Sequence, residues 1–249
     1  MNEYPGLCVE LYDLLHPSPS KEELKFYLGY AKKAGGAVLE PMCGSGRFLI
    51  PLMVHGLDVS GFDTSEVMLK ACRRKARRQG LSPDLKKAGI ERFRYDRKFT
   101  MIFIPAGSFC FLLEDAAVHR ALKRLYDHLD QQGVLLLEIE TTRIKVKSIN
   151  KRQEARFDRQ EGPGRFLTRM TADYDQQANI WRSSMEISVL IDGRAVQTEK
   201  AVFSLRLYDP MAFHGILKER GFKSIKIKKR YSYDEPAKSN EVVIFECRR

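Results

Sequence analysis

Through the first 140 residues, short apolar runs alternate with stretches in which apolar residues recur every three or four positions. Runs of the first kind are typical of strands buried in a parallel sheet, and stretches of the second kind are typical of the helices that cover it. The predicted strands are 37–39, 57–62, 84–88, 99–105 and 134–140, and the predicted helices are 20–33, 48–55, 65–79 and 115–129. This alternation predicts an α/β fold with a doubly wound, mostly parallel sheet.

The pattern changes after Glu140. A polar, basic stretch without a period, 143–159, is followed by period-two alternation in 166–174, 181–190 and 201–208, and Asp192-Gly193 is a hairpin signal. We therefore expect an antiparallel β insertion of three or four strands after the fifth strand. A helix over 211–220 and two strands over 224–231 and 242–247 close the chain. The predicted divisions are 1–140, 141–208 and 209–249.

A glycine loop joins the first strand to the following helix. Glu40 ends the strand, Gly44 and Gly46 lie in the connection, and helical spacing resumes at Phe48. Glycines let the backbone turn sharply and approach a ligand closely, and a helix start offers unpaired N–H groups. The stretch 36–52 is therefore predicted to hold a ligand.

Two nucleotide-binding folds use such a loop. The dinucleotide fingerprint G-x-G-x-x-G is incomplete here, because Leu49 stands at the third glycine. The stretch resembles more closely the class I S-adenosylmethionine (AdoMet) methyltransferases, in which an acid precedes x-G-x-G-x-G. Glu40, Gly44 and Gly46 match that motif, whereas Met42 replaces its first glycine. Asp63, directly after the second strand, supplies the second acid of the family.

The resemblance implies a seven-stranded sheet whose last strand enters antiparallel beside the fifth, and AdoMet as cofactor. Its cofactor-binding residues fall on Glu40, Met42, Gly44, Gly46, Asp63, Thr64, Met68, Glu91 and Pro105. Asp63 should bind the ribose hydroxyls, and it also suits a helix N-cap; one carboxylate could do both. Met68 is placed beside the adenosine or in the core. Glu91 stands one residue beyond the acid that usually receives the adenine amino group, with Ile90 before it.

The segment Leu-Tyr-Asp-Leu, 11–14, resembles the N-terminal lid helix of small-molecule methyltransferases of the sugar-amine and glycine N-methyltransferase kind. In that group a tyrosine at this place closes over the cofactor, which by resemblance falls on Tyr12; packing is the alternative. The insertion after the fifth strand roofs the active site in that group. The same arrangement is expected here.

Methyl transfer from a sulfonium requires alignment and exclusion of water more than acid–base chemistry, so we expect neither a catalytic triad nor a metal. Candidate catalytic residues are Tyr12, His16 and Tyr208, and candidate substrate contacts are Ser108, Glu140, Arg206 and Tyr208. If Arg206 and Tyr208 share a strand face that looks into the cleft, an acidic or phosphorylated acceptor is plausible. His119 and His128 are expected at the surface.

The chain of 249 residues has a formal net charge of +11 and a pI near 9.4, concentrated at 70–78 and 143–159. An RNA- or protein-directed methyltransferase is therefore an alternative, with nucleic-acid binding that weakens with salt. The Asn/Asp-Pro-Pro-Tyr/Phe motif of DNA amino-methylating enzymes does not occur, since the fourth strand runs into Pro105-Ala106-Gly107. A non-catalytic AdoMet-binding domain is a third reading, favoured by Met42 and Ile90.

Five scattered cysteines without a C-x-x-C motif argue against a disulfide framework and a zinc site. No apolar run of eighteen residues and no secretory leader are present in the sequence, which favours a cytoplasmic, membrane-free protein. A monomer or homodimer is expected. The leading hypothesis is an AdoMet-dependent methyltransferase that moves a methyl group to nitrogen or oxygen of a small molecule by in-line displacement.

Overall fold

The computed structural model describes residues 5–143, 152–160 and 162–249. Within these ranges the helices are α1 (Gly6–Leu15), α2 (Lys21–Ala34), α3 (Leu49–Val54), α4 (Glu66–Arg77), α5 (Asp115–His128) and α6 (Pro210–Arg220), with a 3-10 turn at Ser108–Phe111. The strands are β1 (Val38–Pro41), β2 (Val59–Asp63), β3 (Asp84–Lys87), β4 (Phe99–Ile104), β5 (Leu129–Glu140), β6 (Gln153–Asp158), β7 (Arg165–Asp175), β8 (Ile180–Ile191), β9 (Arg194–Arg206), β10 (Ser224–Lys229) and β11 (Val242–Arg248).

The larger sheet has seven strands in the order β10-β11-β5-β4-β1-β2-β3. β1 through β5 run parallel to one another, whereas β11 lies antiparallel to both of its neighbours, β5 and β10. β1 and β4 are adjacent although the chain visits β2 and β3 between them, so the direction of winding reverses there. The predicted doubly wound sheet with its antiparallel last strand is confirmed.

A second sheet of four antiparallel strands, β6-β7-β8-β9, lies between β5 and α6 in the chain. The predicted antiparallel insertion is confirmed. The hairpin at Asp192-Gly193 joins β8 to β9, and both residues have positive φ angles, as such tight hairpins require. β9 starts at Arg194, earlier than the predicted position 201, because its first half carries polar residues that face solvent and give no apolar alternation.

Helix α1 lies between the two sheets. Leu7, Cys8 and Leu11 are buried against the second sheet, in one apolar cluster with Phe166 and Ile187. From the same helix, Val9 and Tyr12 pack against Met68 and Ala71 of α4. One helix thus connects the insertion to the core of the first sheet, directly above the glycine loop.

The structure differs from the sequence pattern in local details. Apolar spacing in the helix predicted over 65–79 would direct Val67 to the sheet, but Val67 is 45% exposed. The segment Gln131-Gln132-Gly133 has the composition of a turn, but it is part of β5, which begins at Leu129 and carries a register shift where it pairs with β4. Of the basic stretch 143–159, residues 144–151 lie outside the described residues, and 153–158 form β6.

His128 is buried, not a surface residue as predicted. The backbone N–H of Tyr95 donates to its Nε2 at 3.2 Å, and its Nδ1 lies 2.8 Å from the carbonyl oxygen of Arg124. Its ring packs on Phe93 with the centroids 4.5 Å apart. Helical spacing does not reveal that His128 is buried, because its partners Phe93 and Tyr95 come from the segment before β4, which packs under the last turn of α5. Burial lowers the pKa of His128.

Candidate active site

The carboxyl ends of β1, β2 and β4 surround a cavity of about 190 Å³, which we call the loop cavity. Parallel strands place their carboxyl ends at one sheet edge, and a ligand binds where the winding reverses. The lining residues are Tyr12, Glu40, Met42, Cys43, Gly44, Arg47, Phe48, Asp63, Thr64, Met68, Pro105, Ala106, Ser108 and Phe111. Of the nine predicted cofactor contacts, the structure brings seven into this lining: Glu40, Met42, Gly44, Asp63, Thr64, Met68 and Pro105.

Gly46 packs beneath the loop, not in the lining. A Cβ on Gly46 would lie 2.4 Å from the Sγ of Cys72, so glycine is required for the loop to rest on α4. Its φ of 81° and the φ of 53° at Gly44 both lie in the left-handed region. Met42 also adopts this conformation, with φ of 58°. The methionine that replaces the motif's first glycine therefore carries backbone strain at the wall of the cavity.

Asp63 connects the loop to α4. One carboxylate oxygen accepts from the backbone N–H of Gly44 at 2.9 Å, and the other accepts from the N–H of Ser65 at 2.9 Å. The N-cap of α4 is Ser65, whose hydroxyl accepts from the N–H of Met68. The alternative reading of Asp63 as the N-cap is therefore wrong. Burial raises the pKa of Asp63, against the lowering effect of these hydrogen bonds.

Two buried polar atoms of residues that line the loop cavity have no hydrogen-bond partner among the described residues: Oε2 of Glu40 and Nε of Arg47. Glu40 is 2% exposed, and burial raises its pKa well above the ordinary range. Arg47 is held in place by Glu23, whose carboxylate lies 2.6 Å from Nη2. An unpaired acceptor and an unpaired cationic donor on two residues that line one cavity suit a zwitterion, since unpaired buried polar groups are costly. The α-amino and carboxylate groups of AdoMet form such a zwitterion, so the residues present fit this cofactor.

Glu91 is absent from the lining of the loop cavity. Its carboxylate pairs with Arg120 at 2.6 Å, and Ile90 beside it is 4% exposed in the core. The geometry therefore gives no support to an adenine contact from Glu91. Because Glu91 stands one residue beyond the position of the usual acid, its side chain points toward α5 instead of the loop cavity.

A second cavity, of about 270 Å³, lies under the second sheet, and we call it the roof cavity. It adjoins the loop cavity, because Tyr12 and Phe111 line both. The roof-cavity lining is Cys8, Leu11, Tyr12, Leu15, His16, Phe111, Trp181, Ser183, Met185, Phe203 and Leu205. Trp181, Ser183 and Met185 alternate along β8, and Phe203 and Leu205 do so along β9.

Tyr12 and His16 lie one helical turn apart, with ring centroids separated by 5.1 Å. Burial raises the pKa of Tyr12, with the guanidinium of Arg47 beside its hydroxyl acting against this. Burial and the positive charge of Arg47 lower the pKa of His16. At neutral pH Tyr12 is therefore a hydroxyl and His16 a neutral imidazole, which can accept a proton.

Glu140, at the end of β5, lies against the turn that follows β4. A Cβ on Gly107 would be 3.0 Å from the Cγ and Oε1 of Glu140, and Gly107 has a φ of 65°. Burial, with the nearby charge of Glu138, raises the pKa of Glu140 to about 7. Glu140 lines neither the loop cavity nor the roof cavity; Ser108, one residue after the turn, lines the first.

The proposed roles of Arg206 and Tyr208 in the cleft were wrong. Arg206 pairs with Asp115 and donates to the carbonyl oxygen of Leu113. Tyr208 is 4% exposed and packs on Phe213, with ring centroids 4.7 Å apart. β9 ends at Arg206, and Tyr208 bridges to the main sheet instead of continuing the alternation. Neither side chain lines the loop cavity or the roof cavity.

Sequence reasoning missed several cavity residues. Arg47 directly follows the last loop glycine, and a cationic side chain at that place could have been predicted from the sequence to line the loop cavity. Ala106, with a φ of 55°, lines the loop cavity in the turn after β4. Trp181 and Phe203 belong to strands that the alternating pattern predicts, but the pattern does not reveal which face of the second sheet packs against α1.

No helix in the described ranges is long and apolar enough to cross a membrane. Across the same ranges, no three or more His, Cys, Asp or Glu side chains are grouped so that they could hold a metal ion.

The sheet order, the glycine loop and the acids at the ends of β1 and β2 together define the class I AdoMet-dependent methyltransferase fold. Residues 38–133 match the model of a protein family described as a methyltransferase domain. This stretch, from β1 into β5, contains the whole glycine loop, Asp63 and the turn after β4. Residues 38–133 thus match a methyltransferase domain, and the fold is one that AdoMet-dependent methyltransferases share.

Among curated relatives, YqeM of Bacillus subtilis strain 168, provisionally named a methyltransferase, is 24% identical over 99% of this chain and 97% of its own. A provisionally named methyltransferase of Geobacillus sp. strain WCH70 is 27% identical over 45% of this chain and 46% of its own. The dTDP-3-amino-3,6-dideoxy-alpha-D-glucopyranose N,N-dimethyltransferase of Streptomyces fradiae is 27% identical over 55% of this chain and 54% of its own. The last two relatives are thus matched over only about half of their length.

Solved structures share the fold over nearly the whole chain. An AdoMet-dependent methyltransferase from Clostridium acetobutylicum superposes with a TM-score of 0.79 at 19% identity, over 96% of each chain. The sugar N-methyltransferase KedS8 from Streptoalloteichus superposes with a TM-score of 0.73 at 18% identity, over 96% of this chain and 92% of its own. The second sheet therefore belongs to a fold that these proteins also have.

Proposed function

We propose that this protein transfers the methyl group of AdoMet to a nitrogen or oxygen atom of a small molecule held in the roof cavity. The observation that carries the proposal is that the loop cavity and the roof cavity adjoin at Tyr12 and Phe111. A donor in the first cavity and an acceptor in the second would meet there. Nitrogen is favoured, because relatives in both comparisons are named N-methyltransferases.

The loop cavity has a polar group for each end of the cofactor. Asp63 would accept hydrogen bonds from the ribose hydroxyls. Glu40 would face the α-ammonium group, and Nε of Arg47 would face the α-carboxylate. Both of these atoms lack partners, so a bound zwitterion would satisfy two costly buried groups at once.

When bound, AdoMet supplies a sulfonium methyl group, which passes to a nucleophile while the electron pair of the broken C–S bond stays on sulfur. The chain's contribution is alignment and exclusion of water. Tyr12 and Phe111 line the junction on the side of α1 and the 3-10 turn, and Met68 lines the loop cavity beside them. These apolar surfaces would keep water away from the acceptor atom.

An amine acceptor is an ammonium ion in water at neutral pH and must lose a proton before it can attack. His16 lines the roof cavity as a neutral imidazole at that pH, so it would accept the proton. His16 lies at the exposed rim of the roof cavity and could pass the proton to solvent. Tyr12 would position the nitrogen through its protonated hydroxyl.

Two measurements test this function. Thermal unfolding with AdoMet or S-adenosylhomocysteine should raise the melting temperature, since ligand at about 100 times its Kd stabilises by about 2.7 kcal/mol. Formation of S-adenosylhomocysteine is then followed with a panel of small amines and alcohols, using wild type and His16→Ala. A melting shift without turnover on any acceptor would favour a non-catalytic AdoMet-binding domain. No shift with either ligand would contradict the proposal itself.

A further inference from the structure

The chemical character of the roof cavity is apolar, which is unlike what a nucleotide-linked sugar requires of its binding site. Its walls are aromatic and aliphatic: Tyr12, Phe111, Trp181, Met185, Phe203 and Leu205. Among the described residues that line it, none is Lys, Arg, Asp or Glu. The polar groups in the walls are the Tyr12 hydroxyl, Ser183, the His16 imidazole and the Cys8 thiol, each neutral at neutral pH.

A pyrophosphate carries charges that proteins bind with arginine, lysine or a helix N-terminus, because burying an unpaired charge is costly. Two helical elements of the described residues border this cavity. The first turn of α1 contributes Cys8, but the N–H of Leu7 in that turn already donates to the carboxylate of Glu199 at 2.7 Å. The 3-10 turn contributes Phe111, at its end. The walls therefore match an uncharged molecular body.

The same walls suit a cation at one end of that body. The faces of tryptophan, tyrosine and phenylalanine attract ammonium groups, and Tyr12, Phe111 and Trp181 all line this cavity. Tyr12 and Phe111 mark the junction with the loop cavity, where the acceptor nitrogen must lie. An amine at the junction would leave its apolar part against Trp181, Met185 and Phe203.

Resting on the proposed function, we infer that the acceptor is a compact aromatic or aliphatic amine, not a sugar linked to a nucleoside diphosphate. A volume of about 270 Å³ is slightly below the range of pockets for drug-sized ligands, which begins at about 300 Å³. It holds a body of one or two rings. The rim at Leu15, which is 44% exposed, provides the entrance.

Trp181 makes the test direct, because it is the single tryptophan of the sequence and lies in the wall of the cavity. Its fluorescence is titrated with 2-phenylethylamine and, separately, with thymidine diphosphate glucose, with and without S-adenosylhomocysteine. We expect a saturable change with the amine and none with the nucleotide sugar at the same concentrations. A saturable change with the nucleotide sugar alone would overturn the inference.

Phe203 and Val202 provide a matched pair on β9. Phe203 lines the roof cavity, whereas Val202 points to the opposite face and is 57% exposed. Phe203→Arg should weaken amine binding at least about tenfold by placing an unpaired charge in the wall, and Val202→Arg should leave it within about twofold. Met185→Gln, close to isosteric, is the second variant should Phe203→Arg fail to fold, and it should weaken binding in the same direction. Equal binding by wild type, Phe203→Arg and Met185→Gln would mean that the amine binds elsewhere.

The melting shift with S-adenosylhomocysteine is recorded for every variant and keeps the two proposals apart. A normal shift together with a lost Trp181 response identifies a defect in the roof cavity alone. A missing shift in wild type, with the Trp181 response to the amine intact, would overturn the proposed function while the choice of ligand for the roof cavity stands.

Discussion

The carboxylate of Asp63 accepts a hydrogen bond from the backbone N–H of Gly44 at 2.9 Å. Its other oxygen accepts from the N–H of Ser65, so a single side chain joins the loop after β1 to the start of α4. The residue that should bind the ribose thus also shapes the loop that encloses it. Cofactor binding and local stability are therefore linked at this one position.

Asp63→Ala should lower the free energy of unfolding by about 1–3 kcal/mol, because two backbone donors lose a charged acceptor. It should also abolish the rise in melting temperature with AdoMet. Denaturant unfolding and the thermal shift measure the two effects. Asp96→Ala, at a carboxylate with 91% side-chain exposure, is the control and should change neither. A full AdoMet shift in Asp63→Ala would exclude Asp63 from the cofactor site.

Arg47→Lys should weaken AdoMet binding about tenfold or more, because lysine retains the charge but lacks the Nε donor, which is buried without a partner among the described residues. Calorimetric titration gives the affinity. Arg73→Lys provides the comparison, since Arg73 pairs with Glu66 on the outer face of α4. The role of Nε would be disproved by equal affinities in the two variants.

Met42 allows a test of strain at the loop. Glycine normally destabilises a protein relative to alanine, but a left-handed φ reverses the order, since only glycine lacks the steric conflict of a Cβ. Met42→Gly should therefore be more stable than Met42→Ala by about 1 kcal/mol. The measurement is urea unfolding of both variants. Greater stability of the alanine variant would mean that the loop carries no strain at this residue.

Glu140 should make stability depend on pH. Its pKa rises from an ordinary 4.5 to about 7, so the folded protein holds the proton more tightly than the unfolded chain does. This contribution to the free energy of unfolding therefore decreases as the pH rises from 4.5 to about 7. Glu140→Gln should remove the decrease and be more stable than wild type by about 3 kcal/mol at about pH 8. Unfolding followed across this range in wild type and variant is the measurement.

Glu22→Gln, on the exposed side of α2, is the control for Glu140 and should follow the wild-type profile. If Glu140→Gln retained the full decrease with pH, another group would be responsible. His128 acts in the opposite sense. Burial lowers its pKa, so the folded protein binds this proton less tightly than the unfolded chain does, and the contribution of His128 to the free energy of unfolding increases as the pH rises.

The sequence predicted best what depends on neighbours along the chain. The glycine loop, Glu40 and Asp63 are local signals, and the rule that parallel strands share one carboxyl edge brings them together. Even the replaced glycine at Met42 could be located by its place in the motif. Its left-handed backbone is consistent with the glycine it replaces.

What the sequence could not predict depends on contacts between distant segments. Tyr208 follows an alternating strand, but a bridge to Thr141 directs it into the main core. Glu91 forms an ion pair with Arg120 of α5. Periodicity predicts this helix but not the direction in which Arg120 points. Trp181 and Phe203 face the acceptor side only because α1 inserts between the two sheets. Each of these outcomes is decided by packing between elements far apart in the chain.

The burial of all five cysteines has a practical consequence for labelling. Burial raises the pKa of each of these thiols, so the reactive thiolate is scarce in the folded protein. The native chain therefore serves as an unreactive background for one introduced cysteine. Leu15→Cys, at the exposed end of α1, would carry a dye that accepts energy from Trp181. The distance between helix and sheet could then be followed in solution as ligands bind.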